Sequence, residues 1–135
     1  MNIDSIQNGV VIDHISAGKG MELARLLGLD TSDLSVAIIK NVHSEKLGKK
    51  DIIKVDADVP FNLDIIGFVD PEATVNVIRN GVLVEKKKLK RPKVLKGVIH
   101  CKNPRCITQV EQELGHEFRL TDDGYRCVYC EAKAG

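Results

Sequence analysis

The chain has 135 residues, 43% hydrophobic and 29% charged, the balance of a soluble globular protein with room for one ordinary domain or two small ones. Aromatic residues make up 4% and Trp is absent, which argues against a base-stacking nucleic-acid surface, and no apolar run approaches the ~20 residues that span a bilayer. The net charge of +1 hides an asymmetry: residues 1–85 carry 8 Lys/Arg against 13 Asp/Glu, giving −5, and residues 86–135 carry 12 against 6, giving +6.

The opening MNIDSIQNG has neither a basic n-region nor an apolar h-region, so the expected compartment is the cytoplasm, with reduced thiols. The run Gly9-Val-Val-Ile-Asp-His-Ile15 predicts a buried strand. Ser16 is expected to cap a helix over 17–27, whose Met21, Leu23, Ala24, Leu26 and Leu27 have helical spacing and whose stop is Gly28. Strands are predicted over 34–42 and 50–56, with a loop at 43–49, and a short helix over 61–69 follows Pro60. Residues 73–79 and 82–88 flank Asn80-Gly81, a strong hairpin signal because both turn residues need positive φ. The order β-α-β-β-α-β-β predicts an α+β fold: a mainly antiparallel, ferredoxin-like sheet with two helices on one face, over residues 1–90. The basic stretch ending in Lys90-Arg-Pro-Lys93 reads as a linker, and residues 91–135 as a small zinc-bound β domain.

That second segment holds all four cysteines, as Cys101-x4-Cys106 and Cys127-x2-Cys130. Two close pairs act as two knuckles that complete a sulfur tetrahedron around zinc. Disulfides are the alternative, disfavoured in a reducing compartment. A closed four-thiolate shell has no open position for substrate, so the expected Zn2+, one per chain, is structural and supplies folding free energy that a segment of this size lacks. His100 and His116 are nearby, but four thiolates suffice.

Gly-Val-Val-Ile-Asp13-His14-Ile, Gly48-Lys-Lys50-Asp-Ile-Ile-Lys54, Ala73-Thr-Val-Asn and the cysteine tail, in this order, closely resemble the regulatory chain of aspartate carbamoyltransferase over nearly the whole sequence. The resemblance implies a non-catalytic subunit that binds CTP or UTP as inhibitors and ATP as activator at one shared site. It also implies a regulatory homodimer bridging catalytic chains that act in pyrimidine biosynthesis. Carried over, Asp13 and Lys54 hold the ribose, and His14, Lys50 and Lys86 hold phosphates. Ile3, Asp4, Ser5, Ile6, Val11, Ile78 and Leu83 surround the base and sugar, and Asn103, Arg105 and Glu131 face the catalytic chain. These residue types suit a nucleoside triphosphate, with cations for phosphates, a carboxylate for ribose hydroxyls and an apolar slot for a base. The sequence departs from the family pattern at Gly81, where well-studied members carry an aromatic residue, and in a shorter N-terminus, where their extra residues help a second nucleotide and a metal bind.

The competing reading is a zinc-ribbon nucleic-acid-binding protein with phosphate contacts from residues 86–96, opposed by the acidic first segment and the near-neutral total charge. Independent catalysis is disfavoured, since there is no Walker loop, no Gly-x-Ser-x-Gly and no open metal site in the pattern.

Overall fold

The computed structural model describes residues 6–134. The chain divides into two compact units between Lys90 and Arg91.

The first unit runs β1 (Gly9–Ser16), α1 (Gly20–Leu26), β2 (Val36–Ser44), β3 (Gly48–Val55), α2 (Leu63–Val69), β4 (Thr74–Arg79) and β5 (Val82–Lys88). The five strands form one antiparallel sheet in the order β2-β3-β1-β4-β5, as the expected α+β fold requires. Alternation along the strands decides which face is covered. Val10, Ile12, Ile53, Val55 and Val75 join Leu23 and Ala24 of α1 and Ile66 and Val69 of α2 in one core, so both helices lie on the same side. The opposite side carries the polar residues that concern function.

Two fully buried carboxylates fix the loops at one end of the sheet. Asp51 accepts hydrogen bonds from the backbone N–H groups of Gly18, Gly20 and Asn41, at 3.1, 3.0 and 3.0 Å. Gly20 is required by this packing, because a Cβ there would lie 2.8 Å from Asp51 Oδ2. Asp70 accepts from Ser16 N at 2.6 Å and Glu72 N at 3.0 Å. Ser16 therefore ends β1 and does not cap α1: the N-cap position falls at Lys19, with no side-chain cap. The second helix is capped as its sequence favours, Asn62 Oδ1 accepting from Asp64 N at 2.9 Å. The β4–β5 turn places Asn80 and Gly81 at φ of 53° and 75°.

The second unit contains β6 (Val94–Lys96), β7 (Glu117–Thr121) and β8 (Gly124–Cys127) in one antiparallel sheet, with single 3-10 turns at Ile107–Gln109 and Gln112–Leu114. Its core is small: Leu95, Phe118 and Tyr125 are buried with Cys101, Cys106 and Cys127. Tyr125 Oη donates to Pro92 O at 2.7 Å, tying the start of this unit to its sheet.

Candidate functional sites

On the side of the first sheet away from the helices, register brings distant residues into line. Lys54 pairs with Val11, Val11 with Asn76, and Asn76 with Lys86, so one row crosses β3, β1, β4 and β5 with its side chains on a common face. A hollow of about 340 Å³ opens over this row, lined by Ile6, Val11, Asp13, Ile52, Lys54, Asn76, Ile78 and Leu83. A larger surface hollow of about 560 Å³, beside Ser16, Ala17, Leu47, Gly48 and Lys49, lacks comparable convergence of buried polar groups. The smaller one is the better binding site on chemical grounds.

Its polar end is built on an irregularity. The β1–β3 register shifts between Ile12 and Ile15, and His14 sits in the left-handed region at φ 58°. This bulge lets Asp13 and His14 depart from simple alternation. Asp13 Oδ1 accepts from His14 N at 2.6 Å and lies 3.0 Å from Lys50 Nζ. His14 Nδ1 lies 3.2 Å from Thr74 Oγ1, a hydrogen bond that holds the imidazole against β4. Cation, carboxylate and imidazole thus stand together at the rim of an apolar trough.

Asn76 escapes notice in the sequence because a lone polar residue in TVNVIR reads as ordinary strand alternation. Among the described residues, its Oδ1 is the buried side-chain polar atom left without a hydrogen-bond partner. Leaving such an acceptor unmet costs about 1–3 kcal/mol. Of the sequence candidates, Ile6, Val11, Asp13, Lys54, Ile78 and Leu83 line the hollow. Lys50 and His14 reach its surroundings through Asp13, and Lys86 stands across the ladder from Asn76. Ile3, Asp4 and Ser5 lie outside the described residues.

The second site is the cysteine cluster. Cys101 Sγ is 3.6 Å from Cys130 Sγ, Cys106 Sγ is 3.7 Å from Cys127 Sγ, and all four sulfurs lie within 4.8 Å of one another. Metal–sulfur bonds of ~2.3 Å in a tetrahedron require sulfurs about 3.8 Å apart, so this donor set fits a divalent cation, whereas a disulfide needs ~2.05 Å. Burial pushes the Cys101 and Cys127 thiols up, which penalises thiolates there without a cation to receive them. The Asn103 side chain and the Ala132 N–H hold Cys130 down, to about 6. His116 is not aimed at the sulfurs as a ligand: its Nδ1 accepts from Cys101 N at 3.0 Å, and its ring meets His100 edge-on at 4.4 Å.

The three residues expected to meet a partner are tied to this cluster. Asn103 Oδ1 accepts from Arg105 N at 3.1 Å while its side chain serves Cys130. Glu131 directly follows the last cysteine at φ 63°, and its carboxylate takes Arg119 Nη2 at 2.7 Å.

Sequence profiles agree with this division. Residues 1–90 match the aspartate carbamoyltransferase regulatory chain, allosteric domain, and residues 93–134 match its metal binding domain. The chain belongs to the aspartate carbamoyltransferase regulatory chain family. Proteins named as that regulatory chain include one from Clostridium botulinum, 48% identical over 97% of this chain and 92% of its own length. Another, from Clostridium tetani, is 44% identical over 97% and 94%, and one from Bifidobacterium longum is 42% identical over 99% of both. Membership makes the chain a non-catalytic regulatory subunit with an allosteric and a metal-binding part. Among the described residues, no helix is long and apolar enough to cross a membrane.

Proposed function

We propose that the first unit, residues 1–90, is an allosteric receptor for nucleoside triphosphates in which CTP, UTP and ATP compete for one site. The observation that carries this reading is the partnerless Asn76 Oδ1 in the hollow that also holds Asp13 and Lys54. A nucleotide brings the N–H or O–H donor that this acceptor lacks, an apolar base for Ile6, Val11, Ile78 and Leu83, and ribose hydroxyls for Asp13. His14, Lys50 and Lys86 supply the positive charge that a triphosphate needs. Asp4 belongs to the same proposal on the family pattern. Titration calorimetry tests it: ATP should displace CTP, and independent, simultaneous binding of the two to the first unit would overturn a shared site.

The cation proposed for Cys101, Cys106, Cys127 and Cys130 is Zn2+, one per chain. When bound it cross-links the second unit and does no chemistry, since four sulfurs fill its shell. Regulatory-chain membership implies association with catalytic chains, and the metal-held surface of Asn103, Arg105 and Glu131 is assigned to that contact. Self-association falls to the first unit. Its edge strand β5 exposes Val82 and Val84 at 61% and 54%, a surface that pairing across a twofold axis would cover. Binding at the hollow then biases the catalytic chains through the connection at Lys90–Lys93, provided CTP and ATP favour different states of the assembly.

A further inference from the structure

Four thiolates around one divalent cation leave a net charge of −2, and burying that charge requires donors aimed at the sulfurs. Cys101 and Cys127 draw them from backbone N–H groups of their own knuckles, and Cys130 draws one from the other knuckle. The Asn103 N–H faces Cys101, the Tyr129 and Cys130 N–H groups face Cys127, and the Asn103 side chain and Ala132 N–H face Cys130. At Cys106 the donor is of a different kind: Thr108 Oγ1 lies 3.1 Å from the sulfur, and Thr108 is only 3% exposed.

The placement follows from local backbone. Cys106 stands at the N-cap position of the 3-10 turn Ile107–Gln109, with Gln109 N donating to Cys106 O at 3.0 Å. That turn folds residue 108 back over residue 106, so the hydroxyl comes to rest behind the sulfur. Gln109 locks the same turn to the first knuckle, its Nε2 donating to Cys101 O at 2.6 Å and Asn103 O at 3.0 Å. Thr108 is shielded from solvent, so its hydroxyl is satisfied by the Cys106 sulfur.

We infer that Thr108 is a positioning residue of the metal centre, whose buried hydroxyl holds the Cys106 thiolate in place and sets how tightly the chain retains its cation. This rests on reading the cysteine cluster as a metal site. A valine would fill the same space without the donor, and a serine would keep the donor without the methyl. The two effects, packing and hydrogen bonding, are therefore separable.

The test uses the full chain as wild type, Thr108→Val and Thr108→Ser, loaded with Zn2+ or Co2+. Competition against a chromophoric chelator should show Thr108→Val holding zinc about 10- to 100-fold more weakly, the range found when a group behind a metal ligand is removed. Thr108→Ser should recover most of that loss. In the cobalt form, the thiolate-to-metal charge-transfer band of Thr108→Val should move to lower energy, because the sulfur lone pairs lose a stabilising donor. Thr108→Ser should keep the wild-type band. A Thr108→Val band that coincides with wild type, or a serine variant as weak as valine, would make Thr108 a packing residue and overturn the inference. A wild-type chain without any thiolate–cobalt band would instead remove the metal reading itself, so the two failures are distinguishable.

Discussion

Lys50 Nζ stands 3.0 Å from Asp13 Oδ1, with the two side chains only 17% and 21% exposed. A half-sequestered ion pair of this kind is pre-positioned: the carboxylate fixes the ammonium at the rim of the hollow, and the ammonium keeps the carboxylate from standing as an isolated buried charge. Lys50→Ala should therefore lose a phosphate contact and destabilise Asp13 as well. Expected is a loss of about 1–3 kcal/mol in CTP affinity. Cytidine, which has no phosphates, should lose much less. Calorimetry with both ligands checks this, and equal losses would place Lys50 at the nucleoside instead.

Asn76 offers a test in which stability and binding move in opposite directions. Its buried Oδ1 has no protein donor. Asn76→Leu removes that unmet acceptor at similar volume, so the melting temperature should hold or rise while CTP and ATP affinity fall together. A variant that is less stable and binds nucleotide normally would make Asn76 a structural residue.

The β4–β5 hairpin was legible in the sequence because Asn80-Gly81 states its own backbone requirement, met at φ 53° and 75°. The cysteines were legible because two close pairs mean little else in one small unit. The row Lys54–Val11–Asn76–Lys86 was not, since it exists only once β3, β1, β4 and β5 are in order and in register. Asp51 and Asp70 were hidden for a different reason. Acidic residues are normally exposed, and nothing local announces that these two accept backbone N–H groups at 0% and 2% exposure. Ser16 misled for the same reason: it has the chemistry of a helix cap, but Asp70 takes its N–H and holds it in β1.

Metal binding should release protons, with a definite sign. Burial raises the Cys101 and Cys127 thiols above their ordinary value, so both are protonated near neutral pH without a cation, whereas Cys130 is held at about 6. A cation takes thiolates, so the loaded chain binds fewer protons than the free one, and falling pH favours metal loss. At pH 7, zinc titration in weak buffer should release at least the two protons of Cys101 and Cys127. Apparent affinity should fall steeply on acidification. A pH-independent affinity would exclude thiolate ligation.

The last expectation concerns coupling. Leu95, Phe118 and Tyr125 are the larger buried side chains of the second unit, too few to hold a unique shape without a cross-link. Asn103, Arg105 and Glu131, proposed above to meet the catalytic chain, adjoin the cysteines: Asn103 Oδ1 accepts from Arg105 N while its side chain serves Cys130, and Glu131 accepts from Arg119 Nη2 at 2.7 Å while Arg126 Nη1 donates to its carbonyl at 2.9 Å. Loss of the cation should thus dissolve the docking surface without touching the hollow on the first sheet. In the assembled enzyme, a mercurial followed by a chelator should release catalytic chains that keep carbamoyltransferase activity and no longer respond to CTP or ATP. The released regulatory chain should still bind nucleotide. Arg119→Ala is the milder version: the Glu131 carboxylate loses its brace, and assembly should weaken while zinc content stays at one per chain. Sedimentation of the mixed subunits together with zinc analysis reads both. Catalytic chains that remain bound to a metal-free regulatory chain would mean that docking does not depend on the cysteine cluster, and that the signal passes through some other surface.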